Sequence, residues 1–476
     1  MSKYRTEYDA LGQRQMPIDA LYGIHTFRAN ENFKVDDQKT SLEIIRAIVL
    51  VKKSCAEANF DIGALTLTIF KSIVFACNQI LETIESYDST AQDPQPEILK
   101  SFMTHPLQGG AGTSANMNVN EVIANLALRH LGHPEGSYEI LHPINHVNLH
   151  QSTNDVYPTA LKIALIYRVR SLSEALANLQ SALQNKENEH ASILKLGRTQ
   201  LMDAVPITFG QTFGAFARAI SRDRWRIYKA EERLREVNIG GTAIGTSINT
   251  SIDYIYSVTE HLQINSKLGI SRADLLVDAT QNADVFVEVS GLLKSLSTNL
   301  LKISNDLRLM NSGPEGGLGE ITLESHQAGS TIMPGKVNPV ICEMVNQICF
   351  KAIGADTAVT FAASSGQLEL NPYLPLIGHE LLGMLSSLEF AVNALNHKGI
   401  ASLEINKAHC ATLLNKSYAF AAVFIDLLGY DRTSEIAKYA MDHHMTLKEA
   451  LLEQSDLTED VIENRLLPSN LTQPKR

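Results

Sequence analysis

Between Val285 and Met310 the apolar residues Val285, Val289, Leu292, Leu296, Leu300, Ile303, Leu307 and Met310 recur at steps of three or four. Such spacing places them on one face of an α-helix. At 1.5 Å per residue the stretch predicts a helix of roughly 40 Å. Leu161, Leu165, Val169, Leu172, Leu176, Leu179 and Leu183 form a second stripe of the same kind. Two helices of this length in a chain of 476 residues require an elongated bundle as the core. Further helices are expected near 207–236, 339–362 and 374–396, and strand-like alternation is sparse. The aromatic residues are few, with one Trp, 14 Tyr and 15 Phe. This composition favours helix over sheet. The fold class that follows is mainly α. Soft boundaries give a mixed, mostly helical N-terminal domain at 1–152, a central helical bundle at 153–407 and a small helical C-terminal domain at 408–476.

A net charge of −11 gives no basic face for nucleic acid. No apolar run of about 18 residues was found, so no membrane span is expected. The N-terminus "MSKYRTEYDALGQRQ" lacks the pattern of a secretory signal, which makes the cytoplasm the expected location. The five cysteines are scattered, with no CxxC pair. Neither a metal site nor a disulfide framework is indicated, and no cofactor is expected.

Polar, Gly- or Pro-containing segments interrupt the helical pattern at 104–116, 143–158, 197–206, 238–252 and 312–340. Loops held by rigid helices are common places for chemistry. "QGGAGTSANMN" (Gln108 to Asn118) formally fits a loosened dinucleotide fingerprint, but no buried strand precedes it. It reads either as a tight turn with Thr113 or Ser114 capping a helix, or as a helix start that binds a carboxylate. "HQSTNDVYPTA" (His150 to Ala160) places Ser152, Thr153, Asn154 and Asp155 in a row before a long apolar stripe. One cap needs one such residue, and the surplus suits an anion. "LGRTQLMDAVPITFGQ" (Leu196 to Gln211) reads as a solvated turn between helices, carrying Arg198, Thr199 and Gln200. "GSTIMPGKVNPV" (Gly329 to Val340) sets Ser330, Lys336 and Asn338 among apolar residues. The Gly-rich "SGPEGGLGE" upstream suits a lid.

In this order the four segments resemble the aspartase/fumarase superfamily, whose signature loop "GSTIMPGKVNP" closely matches. The resemblance runs from "ALYGIHTFRANENF" (Ala20 to Phe33) to about residue 400. It implies a three-domain elongated subunit in a homotetramer with a shared helical core, whose active sites draw on three subunits. It also implies reversible elimination with fumarate as product. Ser330 is implied as the base, with Thr113, Ser152, Thr153, Asn154, Thr199, Gln200, Lys336 and Asn338 binding substrate and Arg28 as a further carboxylate contact. Fumarate hydratases carry histidine where Gln200 stands, although Glu343 is retained. Glutamine cannot relay a proton near neutral pH. The expected substrate is therefore L-aspartate, with L-malate as the alternative. The segment 415–440 departs from the family's usual wording.

Overall fold

A computed structural model describes residues 3–88 and 94–472. Its two longest helices are Thr153–Glu189 and Asp284–Met310, and both expected stripes lie on them. Every residue of the first stripe is buried. In the second, Phe286 and Leu293 take the buried places expected for Val285 and Leu292, which are half-buried. Helices Phe209–Leu234, Val340–Ser364 and Leu374–Leu395 stand where the periodicity put them. Among the described residues, sheet is confined to four two-stranded pieces.

Two compact units divide the chain. The first takes in residues up to Leu172, Arg226–Lys294 and Lys351–Ser386; the second takes in Ser173–Trp225, Ser295–Phe350 and the chain from Ser387. Each gathers segments distant in sequence.

In the first unit, helix Leu42–Asp61 packs against Leu67–Ser86, Thr113–His130 and Ile252–Ser266. Its buried face holds Ile44, Ile45, Ile48, Val51 and Cys55. Helix Leu67–Ser86 has the length and mean hydropathy to cross a membrane, contrary to expectation. Apolar residues outweigh Lys71, Asn78 and Gln79 on average without forming an unbroken run. Ile73, Ala76, Cys77 and Ile80 are buried in the unit's core, while most of the helix is not.

Helix Ile24–Asn32 begins without a side-chain cap of its own. Buried Glu121 supplies one, accepting hydrogen bonds from the backbone N–H groups of Gly23, His25 and Thr26 and from the Thr26 hydroxyl. Glu7 accepts from Ile24 N–H. Four orphan donors at a helix start thus find acceptors on distant segments.

In the second unit, strands Leu194–Thr199 and Met202–Thr208 pair as an antiparallel hairpin. The segment expected to be an inter-helix turn is therefore sheet. Near the C-terminus, Phe424, Ile436, Ala440, Leu447, Leu451 and Ile462 form a separate apolar cluster. A capping box between Thr446 and Glu449 starts the helix Leu447–Gln454 within it.

Candidate active site

The turn before helix Thr113–His130 is built from three consecutive residues at positive φ: Gly110, Ala111 and Gly112. A Cβ on Gly112 would lie 2.3 Å from the ring of Tyr157, so only glycine fits there. The cap is neither Thr113 nor Ser114. Buried Gln108 accepts from Ala115 N–H at 2.8 Å, a role its length lets it play from outside the helix. Thr113 is left exposed at the helix start, its hydroxyl donating to Gly110 O at 2.6 Å.

Ser152 to Asp155 divide the work that the sequence grouped together. The Ser152 hydroxyl accepts from Asn154 N–H. Asp155 is fully buried and accepts from the backbone N–H groups of Ser152, Gly240 and Thr242. Burial pushes its carboxyl up to about 7, against the pull of those three donors and of Lys52. Thr153 accepts from Asn116 Nδ2 at 3.0 Å, keeping its hydroxyl proton for another partner. Because Asn116 lies one turn into the helix that Thr113 begins, this bond joins the two turns. The Asn154 amide donates to Ala243 O at 2.7 Å.

Behind them lies Lys52, wholly buried. Its ammonium donates to Asn148 Oδ1 at 2.7 Å and Gln151 Oε1 at 2.8 Å. Desolvation pulls it down to about 7, opposed by Cys55, Asp155 and Cys77. Sequence reading missed Lys52, although a lysine inside "IIRAIVLVKKSCA" was a signal that could have found it.

Arg28, expected as a further carboxylate contact, is paired with a carboxylate of this chain. Its guanidinium forms a bidentate pair with Asp9 at 2.7 and 2.9 Å and also donates to Gly12 O. That pair clamps the N-terminal hairpin Tyr4–Asp9/Gly12–Pro17 and leaves the fork already matched to a carboxylate.

In the second unit Thr199 and Gln200 stand exposed at the hairpin tip. Gln200 and Leu201 both adopt positive φ, at 55° and 66°. Two non-glycine residues in succession there store strain, of a kind that clusters at functional sites. Below the tip, buried Glu320 meets Lys195 at 2.8 Å and Arg198 at 2.6 Å.

The serine loop closes on itself. Gly329 N–H donates to Lys336 O at 3.0 Å, and Asn338 Nδ2 donates back to Gly329 O at 2.8 Å. A Cβ on Gly329 would lie 2.4 Å from Lys336 O, so the crossing requires glycine. Within this ring the Ser330 Oγ accepts from Ile332 N–H at 3.2 Å and Met333 N–H at 2.9 Å. Two preorganised donors on a hydroxyl oxygen favour its alkoxide, as an oxyanion hole does. The Lys336 side chain is exposed, as are Ile332, Met333 and Val337. Asn338 latches the loop, a use not foreseen from sequence. Glu343, just beyond, faces Arg308 at 3.8 Å.

A family model described as "Lyase" matches residues 12–354, and one described as "Fumarase C C-terminus" matches 421–473. The chain belongs to the aspartase/fumarase superfamily. Among relatives in this superfamily, the aspartate ammonia-lyase of Bacillus subtilis is 42% identical over 99% of this chain and 97% of its own. That of Escherichia coli is 40% identical over 99% and 96%. A fumarate lyase:delta crystallin of Brucella melitensis, solved with cobalt bound, superposes with a TM-score of 0.93 at 42% identity, covering 99% of this chain and 100% of that one. A class II fumarase of Schistosoma mansoni gives 0.92 at 28% identity, again over 99% and 100%. The C-terminal match takes in most of the segment 415–440, whose wording differs from the family's usual one.

Proposed function

We propose that this chain catalyses the reversible deamination of L-aspartate to fumarate and ammonia. The observation that carries the reading is the Ser330 hydroxyl held by two backbone N–H donors in a glycine-closed loop. A serine held in this way can act as an alkoxide base. It takes a proton from the carbon beside one carboxylate, leaving the electron pair delocalised into that carboxylate. The pair then forms the C=C bond as the C–N bond breaks and ammonia departs. Lys336 is the cation for the extra carboxylate charge, and Thr113, Ser152, Thr153, Asn154 and Thr199 supply the remaining polar contacts. Asn338 serves chiefly by holding the loop.

Gln200 favours ammonia over water as leaving group. Hydroxide is a poor leaving group and needs an acid, which an amide cannot provide near neutral pH. Glu343 faces Arg308 and would need a histidine at 200 to complete a relay. The names of the relatives support the same choice.

The active form in this reading is a homotetramer with a shared helical core. Phe350, Phe361, Phe390 and Trp225 are large apolar side chains exposed on its helices, and a bundle shared between copies would cover them. The five unpaired, buried cysteines fit a reducing compartment such as the cytoplasm. Fumarate absorbance with purified protein tests the activity. Turnover of L-aspartate with little of L-malate is expected; ready use of malate without aspartate would overturn it. Light scattering at a single-chain mass would overturn the assembly.

A further inference from the structure

Glu320 lies against the Thr199 hairpin, and nothing of it is exposed. Ile321, directly after it, pairs with Ile405, and Glu320 O accepts from Asn406 N–H. Glu320 N–H donates to Met310 O. Its backbone is therefore fixed on both sides, ten residues before Ser330. Its carboxylate reaches across to Lys195 and Arg198 of the first hairpin strand. Lys195 and Arg198 are three residues apart, and in a regular strand they would face opposite sides. The register breaks between Leu196 and Arg198, opposite Ala204 and Val205. The break occurs at Gly197, where a Cβ would lie 2.3 Å from Val205 O. The extra residue lies on the partner strand, at Ala204 and Val205, and both long cationic side chains of the first strand meet the one carboxylate. Arg198 also donates to Leu196 O across the break.

We infer that Glu320 is a positioning residue: through Arg198 it fixes the strained hairpin tip carrying Thr199 and Gln200, and ties that tip to the strand from which the serine loop departs. The inference rests on the proposed lyase reading. Three observations support it together. The tip holds two non-glycine residues at positive φ, which persist only where the surroundings over-determine them. Arg198 immediately precedes Thr199, so its guanidinium anchors the first strand beside the tip, as Asp203 anchors the second through the Ser417 hydroxyl. One carboxylate between two cations leaves a surplus positive charge beneath a tip meant to receive a dianionic substrate. The burial costs of such a triad make it a poor means of gaining stability alone.

Glu320→Gln removes the charge and strands two buried cations, so it is expected to lower the thermal midpoint. The double variant Glu320→Gln/Lys195→Met restores the wild-type local charge of one and is expected to fold and assemble normally by circular dichroism and light scattering. In steady-state assays with L-aspartate it should still show KM raised about tenfold or more, the loss of a charge-assisted hydrogen bond. Its kcat should fall by no more than a few-fold, because the Ser330 ring is untouched. A double variant with KM and kcat like wild type, or with kcat reduced and KM unchanged, would overturn the positioning role while leaving the lyase reading intact. Wild-type protein that makes no fumarate from aspartate would overturn both.

Discussion

Lys52 offers a test of the buried network behind Thr153. Its ammonium is wholly buried and is satisfied by two amide oxygens rather than by a carboxylate. Desolvation holds it at about 7, against an ordinary 10.5. Between these values the unfolded chain still binds the proton and the folded chain has released it, so stability rises with pH. The full difference is about 5 kcal/mol, at roughly 1.4 kcal/mol for each tenfold of proton affinity. Asp155 titrates with the opposite consequence, but in a different window. Its carboxyl is raised from 3.8 to about 7, so stability falls as pH rises towards 7 and levels off above it. Above pH 7 the Lys52 contribution therefore dominates. Lys52→Met removes the titration and strengthens Asp155's hold on its proton, an effect of the same sign. Urea unfolding at fixed protein concentration, comparing wild type with Lys52→Met, should show wild type gaining about 2–3 kcal/mol on the variant between pH 7 and 9. A difference that stays flat or shrinks over that range would refute the reasoning.

Ser330→Ala should lower kcat for L-aspartate by about a thousandfold, within the span of positioned proton transfer, with circular dichroism and assembly mass unchanged. Gly329→Ala drives a Cβ into Lys336 O; kcat should collapse while the thermal midpoint stays near wild type, because the loop is exposed and outside the core. Lys336→Ala should raise KM by about tenfold to a hundredfold through loss of a carboxylate partner, read from the same steady-state curves. Leu201→Gly relieves a positive φ of 66° and should stabilise the protein by about 1 kcal/mol, seen as a higher thermal midpoint.

The sequence made the long helices legible because their apolar steps of three and four persist over many turns. It even located helix Leu374–Leu395 to within a residue of its observed end. The hairpin Leu194–Thr208 was not legible, for two physical reasons. Its turn is Gln200–Leu201, without the Gly or Asn that usually occupies positive φ, and the bulge at Ala204 and Val205, opposite Gly197, breaks the alternation of the second strand. Glu320 was invisible for a different reason. The residue looks like the end of a Gly-rich approach, and its partners lie more than a hundred residues away in the chain. The partner of Arg28 was not legible either, because nothing near it announced Asp9. Capping was misassigned at Thr113 because the acceptor, Gln108, sits outside the helix.

The serine loop shows why such a segment can be recognised from sequence while its working depends on context. Its hydrogen bonds are internal: Gly329 with Lys336 and Asn338, Lys336 with Met333, and Ser330 with the two N–H groups that follow it. A ring cross-linked in this way keeps the geometry at Ser330 while the ring as a whole changes position. That explains the two glycines and the asparagine without any partner outside the loop. It does not explain Ile332, 84% exposed, or Met333 and Val337. An apolar edge on a self-contained ring gains only when it is covered, and covering it also excludes water from the Ser330 hydroxyl and the Lys336 ammonium. Both electrostatic contributions strengthen once the solvent leaves. In the proposed lyase reading the apolar residues beside the lysine belong to the chemistry, coupling closure of the loop to activation of its serine.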